Sequence, residues 1–291
     1  MLDSSPRFKM IELDETTSTN TFLATYRPPT TTDITLVTAE YQSGGRGQAG
    51  NSWESERGQN LLFSLLLHPT FLPATHLFAL SELIALSIRD AVLHTLAAPH
   101  PPITVKWPND IYAGDCKLGG ILIENELSGH AVSRSIIGCG LNVNQTTFRF
   151  PSSIPNPTSS IIHHPSSITH HPSSITHHPS SIPTPVSLHQ LAGHPFERQL
   201  ILSDIIDAFF RRYDALASSL LTTPQARSPL PTLHADYLAA LYRRDGFHPY
   251  HDAHGSFLAE IADVEPTGHL LLRDESGSLR RYAFKEVTYL R

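Results

Sequence analysis

Cysteine is scarce. Cys116 and Cys139 are the only two in 291 residues, enough for one bridge at most. That excludes a disulfide-built framework and fits a reducing compartment. Long hydrophobic runs are missing too. The longest apolar stretch, "LLFSLLL" at 61–67, falls far short of the roughly 20 residues a spanning helix needs, so no membrane association is expected. Positive charge is not in excess either. The formal net charge is −6 with the 18 histidines neutral, which gives no basic field for nucleic acid and favours solubility. The opening "MLDSSPRFKM" has no apolar core of a secretory signal, so a soluble cytoplasmic protein is expected. The length suffices for a sizeable core and suggests one large domain plus a small one, or two domains.

Apolar patterning places the elements. Residues 34–39, "ITLVTA", and "NLLFSLLLH" at 60–68 predict buried strands. Leu80, Leu83, Ile84, Ile88, Val92 and Leu96 fall at helical spacing and predict an amphipathic helix over 76–97. "PPITVKW" predicts a strand stopped by Pro108. "GGILIENEL" and "AVSRSIIGCGLNVN" predict a strand pair joined near Ser128 and Gly129. A second helix is expected over 197–221 and a short one over 233–244, separated by a Pro/Thr-rich break at 222–232. The last 50 or so residues, with turns at "PTGH" and "ESGS", have the texture of a small all-β unit.

Between 151 and 185 the composition changes. Units of "HHPSSIT" repeat every seven residues, each opened by a proline at Pro165, Pro172 or Pro179. A proline per heptad forbids a coiled coil. One isoleucine per unit cannot build a core, so a disordered insertion is expected. The His-His pairs are also open to metal; a tolerated surface repeat is the plainer account.

Five stretches carry chemistry. "SGGRGQAG" at 43–50 has four glycines that can present backbone N–H groups to an anion, with Arg46 between them. It lacks the Lys-Ser/Thr of a P-loop and is not a dinucleotide fingerprint; a plain surface hairpin is the alternative. Trp53 is open to stacking on a nucleobase or to packing in the core. In "VKWPNDIY", Lys106, Asn109 and Asp110 cluster at a strand end. Asp110 can hold magnesium or a ribose hydroxyl there, while an Asx turn accounts for Asn109 and Asp110 but not for Lys106. Lys117 leads into an apolar strand, which is costly unless an anion joins it or it reaches solvent. Gly119 and Gly120 follow, where a ligand can press on bare backbone. In "GCGLNVN", alternating glycines leave one strand face bare, with Asn142 and Asn144 expected on that same face. Cys139 is expected to point the other way, packed rather than reactive. Together these describe a site for a nucleotide beside a carboxylate.

The blocks "TTSTN" at 16–20, "AEYQSGGRGQAGNSWES" at 39–55, "KWPNDIY" at 106–112, "KLGGILIE" at 117–124 and "GCGLNVN" at 138–144 resemble, in this order, the biotin protein ligases. "FKEV" at 284–287 is similar to part of their C-terminal domain. The resemblance implies an α+β fold, a catalytic domain like that of class II aminoacyl-tRNA synthetases and biotinyl/lipoyl ligases, followed by a small SH3-like β-barrel. It divides the chain into a catalytic domain at 1–235, with a low-complexity insertion at 151–183, and a barrel at 236–291. It implies ATP, Mg2+ and biotin as reactants and the biotin carboxyl carrier domain of a carboxylase as partner. It implies no nucleic acid and no membrane, and it allows a homodimer. Biotin would attack the α-phosphate of ATP, and a carrier lysine would then take biotin from biotinyl-5′-AMP. By motif, Lys117, Arg46 and Asp110 would be catalytic. Ser18, Thr19, Gln42, Gly45, Gly120, Gly138 and Gly140 would hold biotin, with Arg46 and Lys117 at its carboxylate. Gly47, Trp53, Asn109 and Asn142 would hold the nucleotide, with Asp110 the candidate for magnesium. A lipoyl or octanoyl transferase of the same fold and a non-catalytic biotin or adenylate sensor are the alternatives.

The chain departs from that pattern in three places. Many relatives carry further arginines after the one at Arg46, where this chain has Gln48, Ala49 and Asn51. An arginine there is thought to help retain the adenylate, so altered retention is expected. Gln48→Arg should slow release of the intermediate, and an unchanged leak rate counts against this. Only about 15 residues precede "TTSTN", too few for the DNA-binding helix-turn-helix of repressor-type relatives, so a ligase without repressor function is expected. Finally, "TPVSL" at 184–188 reads as the family's continuation after the insertion.

Overall fold

A computed structural model describes residues 8–28, 34–148, 184–222 and 231–290. The seven-residue repeat and most of the Pro/Thr-rich break lie outside them.

The chain runs β1 (Phe8–Thr16), α1 (Thr19–Thr25), β2 (Ile34–Gln42), β3 (Leu61–Leu67), α2 (Ala79–Thr95), β4 (Ile103–Lys106), β5 (Asp110–Ala113), β6 (Cys116–Ser128) and β7 (Ala131–Leu141). Three helices follow, α3 (Leu188–Ala192), α4 (Arg198–Thr222) and α5 (Pro231–Ala239). Then come β8 (His248–Asp252), β9 (Gly255–Val264), β10 (Leu270–Asp274), β11 (Leu279–Tyr282) and β12 (Thr288–Tyr289). The first seven strands form one sheet in the order β1-β2-β3-β7-β6-β5-β4. Only β1 and β2 pair in parallel; the other neighbours are antiparallel.

Strand alternation sorts the two faces of this sheet. Leu61, Phe63, Leu65 and Leu67 of β3, with Ile137, Cys139 and Leu141 of β7, enter the main core beneath α2 and α4. Leu66 and Ile136 pack instead with Leu23 of α1 and Val37. All seven residues of β3 are buried, as its apolar run predicts for a central strand covered on both faces. Helix α2 runs shorter than the 76–97 expected and is preceded by a 3-10 turn at Ala74–His76.

Helix α5 differs more. It ends at Ala239 instead of continuing to 244. The chain leaves the helix because β4 offers it a partner: Val105 N donates to Ala240 O and Tyr242 N to Val105 O, both at 2.8 Å.

The C-terminal strands form a second sheet in the order β11-β10-β9-β8-β12. β11 and β12 do not pair, so this β unit is an open sheet, not the closed barrel expected. The core does not stop at its boundary. Tyr250, Ile261, Val264, Leu270 and Leu272 belong to the same buried cluster as α2 and α4. Trp107, in the turn after β4, donates from Nε1 to Gly268 O at 3.0 Å, and Phe78 N donates to Pro266 O at 3.2 Å. Among the described residues, no helix is long and apolar enough to cross a membrane.

Candidate active site

A cavity of about 460 Å³ opens on the α1 face of the large sheet, over β7, β6 and β5. Its floor exists because three side chains are missing. Gly138 and Gly140 of β7 and Gly120 of β6 line it, and Gly120 lies opposite Gly140 in the ladder. A Cβ added at Gly138 would stand 2.0 Å from Asn20 Oδ1, and one at Gly140 2.4 Å from Trp53 Cε2. At Gly120 the nearest atoms are 3.4 Å away. The first two glycines are therefore sterically required, and at the third a Cβ would meet only ordinary van der Waals contact.

One wall is a chain of polar side chains under α1. Thr19 donates to Gln42 Oε1 from its backbone N at 2.7 Å and from Oγ1 at 3.1 Å. Ser64 Oγ lies 2.7 Å from both Thr19 Oγ1 and Asn20 Oδ1. Asn20 Nδ2 reaches Glu124 Oε2 at 2.8 Å, and Glu124 in turn takes the Arg46 guanidinium at 2.8 Å. Ser18 and Thr19 are buried at the start of α1 and line the cavity. Because Gln42 Oε1 is already occupied, its Nε2 is the group left to offer.

The glycine-rich loop is a closed hairpin. Arg46 bridges to Ser52, Trp53 N donates to Gly45 O at 2.9 Å and Gly47 N to Asn51 O at 2.6 Å. Gly45 is needed for this closure, because a Cβ there would sit 2.3 Å from Trp53 O. It stands behind the cavity wall, which Arg46, Gly47, Gln48 and Asn51 form. Gln48 Oε1 is buried without a hydrogen-bond partner. Trp53 lines the cavity with its ring against Gly140 and Gly120, and its Nε1 is buried and unpartnered.

The Arg46–Glu124 pair is 44% and 39% exposed, so it is worth at most about 1 kcal/mol. Glu124→Gln should raise the rate of tryptic cleavage after Arg46 by up to roughly fivefold, read by mass spectrometry. An unchanged rate would show that the loop does not depend on this anchor.

Lys117 does not wait alone for an anion. Its Nζ lies 2.6 Å from Asp110 Oδ1, the side chains 26% and 19% exposed, and 5.8 Å from the centre of the Trp53 ring. β5 and β6 bring Asp110 to it across the hairpin. An ammonium has three N–H donors, and Asp110 takes one. The backbone of Lys117 is fixed by the segment after the repeat. Lys117 N donates to Thr184 O at 2.8 Å and Val186 N to Lys117 O at 2.9 Å, which places "TPVSL" beside the β6 start.

Asn109 holds the edge of β6, donating from Nδ2 to Ile121 O at 2.5 Å. Lys106 lies at 5.0 Å over the rings of both Tyr112 and Tyr289. Asp110 has Lys117 on one oxygen, and no cluster of three or more His, Cys, Asp or Glu side chains fit for a metal exists among the described residues. The residues present therefore do not fit a resident metal ion.

Asn142 and Asn144 are not on the bare face. β7 ends at Leu141, so strand alternation no longer governs them. Asn142 Nδ2 donates to Val186 O and Asn144 Nδ2 to Phe196 O. Asn142 lies outside the cavity walls and holds the segment that fixes Lys117. Cys139 is packed as expected, and burial pushes its thiol far above the ordinary range.

Sequence reasoning missed four parts of the site. Ser64 carried a signal, a lone hydroxyl inside the apolar run "LLFSLLL". Asn20 and Glu124 close two of the quoted blocks. The stretch Phe284–Tyr289, which supplies Phe284, Lys285, Val287, Thr288 and Tyr289 to the wall, was noted only for the resemblance of "FKEV", because docking of the second sheet is not written in local periodicity.

Residues 12–142 match the biotin/lipoate A/B protein ligase family. The chain is 26% identical over 249 residues to the bifunctional ligase/repressor BirA of Bacillus spizizenii, covering 86% of this chain but 64% of that protein's length. It is 33% identical over 113 residues to the biotin–[acetyl-CoA-carboxylase] ligase of Mycobacterium tuberculosis, covering 39% of this chain and 41% of that one. In structure it is similar to the biotin protein ligase of Aquifex aeolicus solved with biotin and ATP, with a TM-score of 0.66, 21% identity, and coverage of 97% of this chain and 99% of that one. Residues 12–142, which hold the glycine floor, the Arg46 loop and the Lys117–Asp110 pair, are thus the part of the chain that matches the biotin/lipoate A/B protein ligase family.

Proposed function

We propose that this protein is a biotin–[acetyl-CoA-carboxylase] ligase, joining biotin to a lysine of a biotin carboxyl carrier domain at the expense of ATP. The observation that carries this reading is one cavity with a glycine floor and an ammonium at its side. Gly138 and Gly140 give room for Asn20 and the Trp53 ring to sit low on the β6–β7 backbone, and Lys117 lines the same cavity beside Gly120. The volume of about 460 Å³ lies within the range of small-molecule sites.

In the first step a carboxylate oxygen of biotin bonds to the α-phosphorus of ATP and the bond to the β-phosphate bridge breaks, releasing pyrophosphate. Lys117 sits where it can pair with both the carboxylate and the α-phosphate. Its charge offsets the negative charge that grows on phosphorus. Asp110 holds the ammonium at a fixed place before the ligand arrives, so little reorganisation is needed at reaction. Ser18, Thr19 and Gln42 offer hydrogen bonds to the biotin ring, and Arg46 and Gly47 lie in the loop over the adenylate. Trp53 and Asn109 flank the nucleotide. Asn142 acts from outside, through Val186. A magnesium ion, were one carried on the nucleotide phosphates, would find in Asp110 one ligand at most. In the second step the carrier lysine, as a free amine, attacks the acyl carbon of biotinyl-5′-AMP. AMP leaves and the amine loses a proton.

No step needs a cysteine. Cys139 is buried with its thiol pushed far above the ordinary range, which argues against it as the nucleophile of a thioester-forming transferase. The reading is tested by incubating the chain with biotin, Mg-ATP and a purified carrier domain and probing with avidin. Labelled carrier is expected. Labelling with octanoate or lipoate but not biotin would transfer the case to the other branch of the family.

A further inference from the structure

Glu82 is a carboxylate on the buried face of α2, its side chain 5% exposed. A charge so placed is costly without a partner. The partner comes from α5: His234 Nδ1 lies 2.6 Å from Glu82 Oε1. The other ring nitrogen points across to the second sheet, with Nε2 2.8 Å from Asp263 Oδ1 on β9. One imidazole thus spans α2, α5 and β9.

Asp263 stands two residues before the turn that docks the second sheet. Pro266 O in that turn takes the N–H of Phe78, and Gly268 O takes the indole N–H of Trp107. Gly268 has φ +92°, and a Cβ there would come 2.8 Å from the Phe78 ring. β10 follows the turn and pairs with β11, and the chain beyond β11 supplies Phe284–Tyr289 to the cavity wall.

We propose that His234 is a positioning residue. As an imidazolium donating to Glu82 and Asp263 at once, it clamps the C-terminal sheet onto the catalytic layer and sets the Phe284–Tyr289 wall of the active site. The geometry requires the charged form, because a neutral ring can donate through only one nitrogen. The groups facing the ring agree, Glu82 from α2 and Asp263 from β9, and the buried Tyr237 hydroxyl on α5 is itself raised by burial and by Glu82. The hydrogen bond to Glu82 leads in raising His234 to about 9, with burial opposing it. The sign follows. The ordinary value of 6.5 is raised, so the clamp contributes fully below about 6.5 and is lost as pH rises through about 9.

Amide exchange at neutral pH tests this without reference to any ligand. In His234→Gln, exchange at residues 265–269 and 284–289 should rise about tenfold or more, equivalent to one pKa unit of lost coupling, while β3 and β7 keep their protection. Asp263→Asn removes only the half-exposed partner and guards against a His234 variant that does not fold. It should loosen the same segments and lower the NMR titration midpoint of His234. A functional arm rests on the ligase reading: both variants should raise KM for ATP and leave kcat near wild type. Unchanged exchange at 265–269 and 284–289, or a His234 midpoint near 6.5, would overturn the proposal. A fall in kcat at constant KM would also do so. If the chain turned over no biotin and ATP at all, the exchange arm would still decide.

Discussion

Lys117→Met is expected to lower biotin-dependent pyrophosphate release by about 10²- to 10³-fold, the scale found when one preorganised donor to a developing negative charge is removed. Methionine keeps the length and flexibility of the side chain and deletes only the ammonium. Two effects must be separated. The substitution removes charge from the reacting centre, and it leaves Asp110 without the partner that lies 2.6 Å away. Asp110 is 19% exposed and can take up water, so the fold should survive with a modest change in Tm. Lys117→Arg restores charge but replaces a compact ammonium by a planar fork. It should recover stability more than rate. Stopped-time pyrophosphate assays and thermal melts on both variants make the comparison. Equal loss of rate and of folded protein would mean that the pair is structural.

The glycine floor gives the second large effect, and it is graded. Gly138→Ala places a Cβ 2.0 Å from Asn20 Oδ1, and Gly140→Ala places one 2.4 Å from the Trp53 ring with two more ring atoms within 2.8 Å. Overpacking of this kind costs about 1–3 kcal/mol. At Gly138 the polar chain from Ser64 through Asn20 to Glu124 must also break. Gly120→Ala meets nothing nearer than 3.4 Å and should leave the free protein as stable as wild type. All three should weaken biotin binding, Gly138→Ala and Gly140→Ala by pushing Asn20 and Trp53 into the cavity and Gly120→Ala by adding a methyl between Lys117 and Trp53. A loss of about 1.4 kcal/mol corresponds to tenfold in Kd. Melting curves paired with calorimetric biotin titrations check this: two variants lose stability and affinity, and Gly120→Ala loses affinity alone. If Gly120→Ala melted as early as Gly140→Ala, the floor would be a packing feature and not a ligand surface.

Much of the site was legible in the sequence because its demands are local. Bare backbone on one strand face shows as G-x-G, and the β6–β7 pairing then places Gly140 opposite Gly120. A central strand shows as "LLFSLLL". What stayed hidden depends on contacts far apart in sequence. Lys117 invited an anion, and the β5–β6 hairpin answered with Asp110, seven residues earlier. Alternation carried Gly138 and Gly140 correctly but failed at Asn142, because nothing in "GLNVN" announces that the strand ends at Leu141. The reach of Tyr289 toward Lys106, and of His234 toward Asp263, depends on how two sheets meet. The end of α5 was misplaced for a related reason, a backbone pairing with β4 that helical propensity does not sense.

The most direct measurement of the central claim is pyrophosphate release by the purified chain given Mg-ATP with and without biotin, in the absence of any carrier. The account predicts release that requires biotin and falls by about 10²- to 10³-fold in Lys117→Met. Pyrophosphate release that ignores biotin, or none under conditions where biotin binds, would contradict it.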